Sequence, residues 1–317
     1  MTKHFTVTNE LEGKRLDLFL AFMMPEVTRS QVKKIIEANN VKVNERVEFK
    51  ANYKVKEEDI VTVDYEKQVS ALDDISAEEI ELEIVYEDED LIAVNKQEGM
   101  VVHPATGNFS GTLVNALLFR LRNLKNVGPM HRAGLINRID KGTSGLVLVG
   151  KSNKALWFYS KQFANRLVKK TYIAVVPGDF RKALDGKKTL TISNYLARNP
   201  VKRKKYSEVQ NGKGKLAKTS CSFEGISKNG DYSLVLAKPI TGRTHQIRVH
   251  LASLGYPILG DDVYSGRNYD RLMLHSYKIK LQLLNGKSKM IKAPVRDVFM
   301  NFLEKSFSKT IHEKFTR

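Results

Sequence analysis

Short runs of β-branched and aliphatic residues recur between residues 83 and 294, and they restrict the fold more than any other feature of the sequence. Such runs are typical of strands. Examples are Leu91 to Val94, Leu146 to Val149, Tyr172 to Val176 and Leu234 to Leu236. Helical patterns are interspersed at Thr112 to Leu121 and Ser152 to Asn165. Because strands and helices do not alternate regularly, the sequence predicts an α+β fold with a mixed, mostly antiparallel sheet, not a doubly wound one.

A smaller unit of helices and strands precedes this segment. Arg15 to Phe22 has helical apolar spacing, and Pro25 ends the helix because proline cannot continue one. Thr28 is the expected N-cap of a second helix that runs to Asn39. Strands are predicted at Val41 to Asn44 and at Asp59 to Val63.

Composition divides the chain into four parts. The predicted limits are 13–66 for the small unit, 67–82 for an acidic linker, 83–300 for the large domain and 301–317 for a basic C-terminal tail. The linker has few aromatic residues, so we expect it to run over the surface. For the tail, a final helix and a frayed basic end are both open.

Charge gives the first functional signal. The 317 residues include 53 Lys and Arg against 35 Asp and Glu, a formal net charge of +18. A basic surface attracts polyanions, so nucleic acid is an expected partner and an acidic membrane surface is its rival. No basic amphipathic helix with an aromatic face stands out, which argues against the membrane.

Other compositional features bear on the compartment. Cys221 is the only cysteine, which excludes an intramolecular disulfide. No run of about 18 apolar residues predicts a transmembrane helix. The N-terminus, Met1 to Phe5, lacks the apolar core of a signal peptide. We therefore expect a cytoplasmic protein, and we expect it to be a monomer.

Two polar segments carry the residues with useful chemistry. In the segment 137–149, Asp140 stands just before a turn with two glycines and two hydroxyl groups that leads into an apolar strand. Taken alone, Asp140 is better explained by an Asx-turn, in which an aspartate bonds its own backbone. In the segment 239–251, two arginines, two histidines and a glutamine suit phosphate binding or pairing with a carboxylate. The histidines are five apart with no carboxylate at ligand spacing, so no metal site is predicted.

These segments resemble motifs of the RluA-type pseudouridine synthases, and most closely of their RluD-like branch. The family motif H-R-L-D-x-x-T-S-G appears as N-R-I-D-K-G-T-S-G at 137–145, and T-G-R-T-H-Q-I-R-V-H is matched in full at 241–250. Other matching stretches are E-D-L-I-A-V-N-K-Q-E-G-M-V-V-H-P at 89–104, K-T-Y-I-A at 170–174 and L-H-S at 274–276. The resemblance implies a catalytic domain with the α+β fold of pseudouridine synthases.

The resemblance also implies a reaction. Enzymes of this family convert uridine in a folded RNA to pseudouridine by breaking the glycosidic bond, turning the base over and rejoining it through carbon. No redox change occurs and no water is consumed, so no cofactor or metal is expected. In the family pattern Asp140 is the catalytic carboxylate, and Arg243 is the arginine that lowers its pKa and orients it. Tyr172 matches the tyrosine that stacks on the base and takes the proton lost from its ring.

Further residues of the matching motifs are expected to contact the RNA. They are Arg138, Asn137, Thr143, His245, Gln246, Arg248 and His103. The chain departs from the family pattern at two positions, where Asn137 replaces histidine and Gln97 replaces proline. The family chemistry assigns no proton transfer to that histidine, so activity is expected to survive, while substrate geometry near Asp140 is open.

The N-terminal unit resembles the alpha-L RNA-binding domain, which is shared with ribosomal small-subunit protein four. The matching stretches are R-L-D at 15–17, T-R-S-Q-V-K-K-I-I at 28–36 and V-K-V-N at 41–44. Its helix would direct Arg29, Lys33 and Lys34 at phosphates, against the alternative of a solvated helix face. The basic insertion 198–218, with Lys204 and Lys205, is interpreted as a loop that contacts the RNA backbone.

Several alternatives remain at this point. Large-subunit ribosomal RNA is the favoured substrate, and a transfer RNA is the alternative. A non-catalytic RNA-binding or ribosome-assembly factor would share the basic surface, but Asp140 and Arg243 are both present. A glycosidase-like hydrolase would need a second carboxylate beside the sugar, and the sequence does not place Asp261 or Asp262.

Overall fold

The computed structural model describes residues 1–24, 27, 29–65, 75–104, 108–121, 127 and 133–316. The chain forms two compact units, which are described separately. Unit 1 comprises Met1–Ile80, His103–Gly134 and Lys151–Asn153, and unit 2 comprises Glu81–Val102, Leu135–Gly150 and Lys154–Arg317. Within the described ranges, no helix has the length and apolar character needed to cross a bilayer.

Unit 1 contains a small antiparallel sheet with two short helices on its apolar side. Its elements are β1 (Thr2–Thr6), α1 (Leu16–Met23), α2 (Arg29–Glu37), β2 (Val41–Val43), β3 (Arg46–Val47), β4 (Ile60–Asp64) and α3 (Leu113–Arg120). The sheet has the order β1-β4-β2-β3. Val32 and Ile36 of α2 are buried against Phe19 and Leu20 of α1, as the apolar spacing predicts. The expected stop at Pro25 and cap at Thr28 lie outside the described residues.

Unit 2 is built on one large sheet. Its strands are β5 (Glu83–Glu87), β6 (Leu91–Lys96), β7 (Ser144–Gly150), β8 (Lys169–Pro177), β9 (Leu190–Arg198), β10 (Tyr206–Val209), β11 (Lys215–Ile226), β12 (Tyr232–Pro239), β13 (Leu274–Gln282) and β14 (Ser288–Lys292). The strand order is β10-β9-β11-β12-β8-β13-β7-β6-β5, with β14 on β13. Among the described strands only the β7–β13 pair is parallel. The mixed, mostly antiparallel sheet predicted from the sequence is confirmed.

Helices cover this sheet. They are α4 (Asn153–Ala164), α5 (Arg181–Leu184), α6 (Gln246–Ser253), α7 (Asp297–Ser306) and α8 (Lys309–His312). The central strands β6 and β7 are buried along their whole length, which explains why they read as continuous apolar runs and do not alternate. The larger core joins β8 and β12 to α6 and α7, with Ile173, Leu234 and Phe299 completely buried.

The turn that carries the central motif depends on Gly145. This residue has φ +105, and a Cβ at this position would lie 2.4 Å from the Ser276 carbonyl oxygen, a contact that real Cβ atoms essentially never make. Gly145 pairs with Ser276 in the parallel β7–β13 contact. The glycine therefore allows β7 to approach β13 directly after the turn at Asp140.

Two expectations about surface segments are revised. The insertion 198–218 is not simply a loop, because β10 and the start of β11 fall within it and β10 pairs with β9. At the C-terminus, α7 begins before residue 301, and Phe302, Phe307 and Phe315 are buried in the core of unit 2. Of the two alternatives for residues 301–317, the structure therefore has a helix and not a frayed end. The four predicted domain limits stay a prediction.

Candidate active site

The two motifs of the sequence meet at a pocket in unit 2 with a volume of about 430 Å³, within the usual size range of ligand sites. Nine of the predicted site residues line it. They are Asn137, Arg138, Asp140, Thr143, Tyr172, Arg243, His245, Gln246 and Arg248. The turn before β7 supplies the first four and β8 supplies Tyr172. Arg243 and His245 lie in the segment leading into α6, and Gln246 and Arg248 lie in its first turn. Ligands bound here would therefore contact both motifs.

Asp140 presents a carboxylate with unused hydrogen-bonding capacity to this pocket. Its side chain is 24% exposed, and its main-chain carbonyl accepts a hydrogen bond from the Thr143 amide at 3.1 Å, which closes the turn. Oδ2 lies 3.5 Å from Arg248 Nη1 and 3.8 Å from His245 Nε2. Both separations exceed the usual length of a charge-assisted hydrogen bond, so the carboxylate is held loosely.

Arg248, and not Arg243, is the arginine that pairs with Asp140. Its Nε and Nη2 each donate to the Asp261 carboxylate at 2.8 Å, while Nη1 faces Asp140. Asp261 is completely buried and also accepts from the Tyr264 amide at 3.1 Å. Burial alone would lower the pKa of Arg248, but the two carboxylates raise it above its ordinary value. The resemblance assigned this role to Arg243, which stands in the same motif but bonds the Leu216 carbonyl oxygen.

Three of the predicted site residues use their side chains in hydrogen bonds within the protein. They are Arg243, Gln246 and Asn137. Arg243 Nε donates to the Leu216 carbonyl oxygen at 3.0 Å. Gln246 uses both amide atoms, since Oε1 accepts from Thr241 Oγ1 and Nε2 donates to the Lys218 carbonyl oxygen. Asn137 likewise bonds the main chain of β7 through Oδ1 and Nδ2. In place of the family histidine, this asparagine therefore anchors the segment before Asp140.

Tyr172 and Lys170 extend from β8 into the pocket. Burial raises the pKa of Tyr172 to about 12, so its hydroxyl group keeps its proton at neutral pH. That shift favours a role for the ring as a stacking surface and disfavours the phenolate as a base. Burial lowers the pKa of Lys170 to about 8, and its Nζ donates to the Thr241 carbonyl oxygen at 3.3 Å. Lys170 belongs to the K-T-Y-I-A motif at 170–174, but the motif alone predicts no role for it.

The other basic residues expected to contact RNA lie at the pocket rim and outside the pocket. Arg138 is exposed at the pocket rim, and Lys204 and Lys205 lie on the turn between β9 and β10. Lys205 Nζ stands 5.4 Å from the centre of the Tyr264 ring. Unit 1 contains the remaining ones, which are His103, Arg29, Lys33 and Lys34. Within unit 1, Arg29 donates to Asp17 and Lys33 pairs with Glu37, so both are partly engaged.

Comparison with known proteins identifies the family. A family model described as RNA pseudouridylate synthase matches residues 90–253, a range that contains Asp140 and the whole pocket lining except Leu274. The chain belongs to the RNA pseudouridine synthase family. An S4 domain model matches residues 14–61, within unit 1. The protein is therefore an RNA-modifying isomerase with an S4 domain in its N-terminal part.

Named relatives cover most of the chain. The large-subunit ribosomal pseudouridine synthase D of Zymomonas mobilis is 38% identical over 90% of this chain and 87% of its own length. The synthase D of Borreliella burgdorferi is 35% identical over 89% and 85%. Among solved structures, human RNA pseudouridylate synthase domain containing 1 aligns with a TM-score of 0.54 at 28% identity, covering 68% of this chain and 84% of that one.

Membership of this family decides between the classes left open by the sequence. The enzyme is an isomerase acting on RNA, which excludes the alternative of a non-catalytic assembly factor. The acid that the sequence could not place, Asp261, does not line the pocket and is bonded to Arg248. It is thus not available as the second carboxylate of a glycosidase.

Proposed function

We propose that this enzyme isomerises uridine in large-subunit ribosomal RNA, with Asp140 as the reacting carboxylate. Support for the substrate comes from the names of the two bacterial relatives described above. Support for Asp140 comes from its place in the pocket, where a loosely held carboxylate faces the space that a nucleotide would occupy. The S4 domain would supply contacts to the same RNA that position the enzyme without reading sequence.

The proposed chemistry balances without any added reactant. The bond from ribose C1′ to N1 of the base breaks, the base turns over, and a bond from C1′ to C5 forms. The proton of C5 leaves and N1 gains one, so substrate and product are isomers. Asp140 acts either by attacking the ribose or by removing its 2′ proton, and both roles require an ionised carboxylate. Arg248 Nη1 places a positive charge 3.5 Å from that carboxylate.

The pocket also has to hold a base that has left its helical context. Such a base is usually stacked against an aromatic or apolar side chain. Tyr172 and Phe163 offer those surfaces in the pocket lining. Arg138 at the rim is the cation best placed for the flanking phosphates. We propose that Tyr172 acts through stacking, since its raised pKa makes proton abstraction by the phenolate unfavourable at neutral pH.

Pseudouridine mapping tests the substrate and the carboxylate together. Total RNA from a strain without this gene is compared with RNA from strains complemented with the wild-type gene, Asp140→Asn or Asp262→Asn. Asp262 is an exposed carboxylate outside the pocket lining and serves as the matched control. We expect sites in large-subunit ribosomal RNA to disappear in the deletion strain, and to return with wild type and Asp262→Asn only.

Two results would contradict this proposal in different ways. Sites lost only from transfer RNA would replace the substrate by its alternative while leaving the chemistry intact. Sites restored by Asp140→Asn would overturn the assignment of the reacting carboxylate while leaving the substrate intact.

A further inference from the structure

His245 has an unusual backbone conformation at the edge of the pocket. Its φ is 56, in the left-handed region that non-glycine residues rarely adopt. The residue directly precedes α6, yet its side chain makes no capping hydrogen bond to that helix. Instead the imidazole lines the pocket beside Asp140. Backbone strain of this kind persists only where the surrounding structure holds the residue in place, and it is concentrated at active and ligand-binding sites.

Tyr264 fixes the imidazole and determines which nitrogen carries the hydrogen. Tyr264 Oη lies 3.0 Å from His245 Nδ1 and accepts a hydrogen bond from the Tyr206 amide at 2.8 Å. Because burial raises the pKa of Tyr264 to about 12, the hydroxyl group keeps its own proton, and His245 Nδ1 is the acceptor within reach. With the Tyr264 hydroxyl group donating to Nδ1, the hydrogen of the neutral ring lies on Nε2.

The surrounding residues hold the His245 imidazole in one orientation and favour its neutral form. Tyr206 and Tyr264 both contact it edge-on, with ring centroids 5.7 and 5.6 Å away. Burial lowers the pKa of His245 below its ordinary value, in spite of the nearby Asp140 carboxylate. Nε2 has no hydrogen-bond partner in the described part of the chain, and it lies 3.8 Å from Asp140 Oδ2. A fixed donor thus stands beside the carboxylate at a separation too long for a direct hydrogen bond.

We propose that His245 and Asp140 together bind the 2′-hydroxyl group of the target ribose, with His245 Nε2 donating and Asp140 accepting. This inference rests on the proposed role of Asp140. The bridging group must accept from N–H and donate to a carboxylate. Near C1′ of a uridine, the 2′-hydroxyl does both, whereas base carbonyl and phosphate oxygens only accept. An oxygen about 2.8 Å from each atom fits the gap.

The proposal assigns His245 a part in substrate specificity. A 2′-hydroxyl group is what distinguishes RNA from DNA at a given position. His245 would then be a substrate-contacting residue, and Tyr264 a positioning residue that keeps the hydrogen on Nε2. Tyr264→Phe should weaken recognition of the hydroxyl group while leaving the ring contacts of His245 in place.

A cycle between enzyme and substrate variants tests the contact. The probe is a large-subunit ribosomal RNA fragment containing the mapped uridine, with either uridine or 2′-deoxyuridine at that position. Kd is measured for both within a time shorter than one turnover. We expect wild type to bind the deoxy fragment about tenfold more weakly, as for the loss of one hydrogen bond to a charged group. His245→Phe should lower that difference by about threefold, because the 2′-hydroxyl group then keeps only its bond to Asp140.

Further variants separate a lost contact from a damaged fold. His245→Gln, which keeps an N–H donor, should retain most of the discrimination, and Tyr264→Phe should lose part of it. Tyr256→Phe is the matched control, since it removes one hydroxyl hydrogen bond, to the Asp179 carbonyl oxygen, outside the pocket lining. It should discriminate like wild type.

Equal discrimination by wild type and His245→Phe would overturn the proposal. So would a His245→Gln variant that discriminates no better than His245→Phe. These outcomes concern affinity and do not depend on turnover, so they are distinct from the loss or survival of activity in Asp140→Asn that tests the proposed function.

Discussion

Each unit contains an aspartate paired with arginine, and the two arrangements are opposite. In unit 1, the buried Asp17 accepts hydrogen bonds from Arg15 and Arg29 at 2.7 to 3.2 Å, and both arginines are about half exposed. In unit 2, the buried Arg248 lies between Asp261, at 2.8 Å, and Asp140, at 3.5 Å. One carboxylate is saturated by two guanidinium groups, whereas one guanidinium group is shared by two carboxylates.

The difference separates a structural carboxylate from a reactive one. Burial raises the pKa of Asp17, but the bonds and charges of Arg15 and Arg29 outweigh it and lower the pKa below the ordinary value. Two of its hydrogen bonds hold Arg15, directly before α1, and two join α1 to Arg29 at the start of α2. Asp140 has no bond of comparable length and faces a pocket. A short, saturated ion pair therefore indicates a role in the fold, and a long, shared one leaves an oxygen for substrate.

Among the residues that pair with the two aspartates, Arg248 gives the largest expected effect. Arg248→Gln should reduce pseudouridine formation by at least about a hundredfold, because Asp140 loses the charged partner that orients it in the pocket. It should also destabilise unit 2 by about 3–5 kcal/mol, because Asp261 is left buried without its partner. Single-turnover rates and urea unfolding measure the two effects.

Arg243→Gln is the matched comparison for that variant. Arg243 bonds the Leu216 carbonyl oxygen and not Asp140, so we expect a loss of activity at least tenfold smaller. An Arg243 variant as inactive as the Arg248 variant, with unchanged stability, would restore the assignment made from the sequence motif.

The two units should also differ in their response to moderate acid. Burial lowers the pKa of His250 and of His275 in unit 2 from 6.5 to about 4. The unfolded chain binds these protons more readily, so the stabilisation is complete above pH 6.5 and is lost as the pH falls towards 4. Each histidine accounts for up to about 3 kcal/mol.

Fluorescence of Trp157 measures this loss selectively, because the only tryptophan of the chain lies in unit 2. We expect the urea midpoint of the Trp157 transition to fall steadily between pH 6.5 and 4.5. Replacing His250 by Gln should flatten that dependence. A midpoint independent of pH over this range would show that neither histidine is held in its neutral form by the fold.

Asp17→Asn should affect the fold of unit 1 without affecting the chemistry. We expect a loss of about 1–2 kcal/mol, below the full value for charge-assisted bonds because both arginines are well solvated. Hydrogen exchange in α1 and α2 should accelerate, while the single-turnover rate at saturating RNA stays within about twofold of wild type. A selective loss of that rate would mean that Asp17 is not purely structural.

The smallest expected effect concerns RNA binding by α2. Lys34 makes no ion pair within the described residues, whereas Lys33 pairs with Glu37. Lys34→Gln should reduce the slope of log affinity against log salt by about one and weaken binding a few-fold at low salt. Lys33→Gln should change the slope less. Identical slopes for all three proteins would indicate that this helix face is only solvated.

The sequence predicted the fold and the residues of the pocket better than it predicted which of those residues contact each other. Apolar periodicity located α2 and the central strands because burial alone determines those patterns. Motif resemblance brought Asp140, Tyr172 and Arg248 into one pocket. It did not identify Arg248 as the partner of Asp140, because two arginines five residues apart differ only in where α6 directs them. The sequence did not identify Asp261 as a partner of Arg248, because a loop determines the distance between them. It did not predict β10, because the many lysines of the insertion 198–218 obscure the pattern of a strand.

Asp140→Asn tests the central claim most directly. The substitution keeps the size of the side chain and removes its charge. With enzyme in excess over a ribosomal RNA transcript, we expect the rate of pseudouridine formation to fall by about a thousandfold or more. RNA affinity should fall by no more than about tenfold, the contribution of the 2′-hydroxyl contact, and the urea midpoint should stay close to wild type. A rate within about tenfold of wild type would contradict the assignment of Asp140 as the reacting carboxylate.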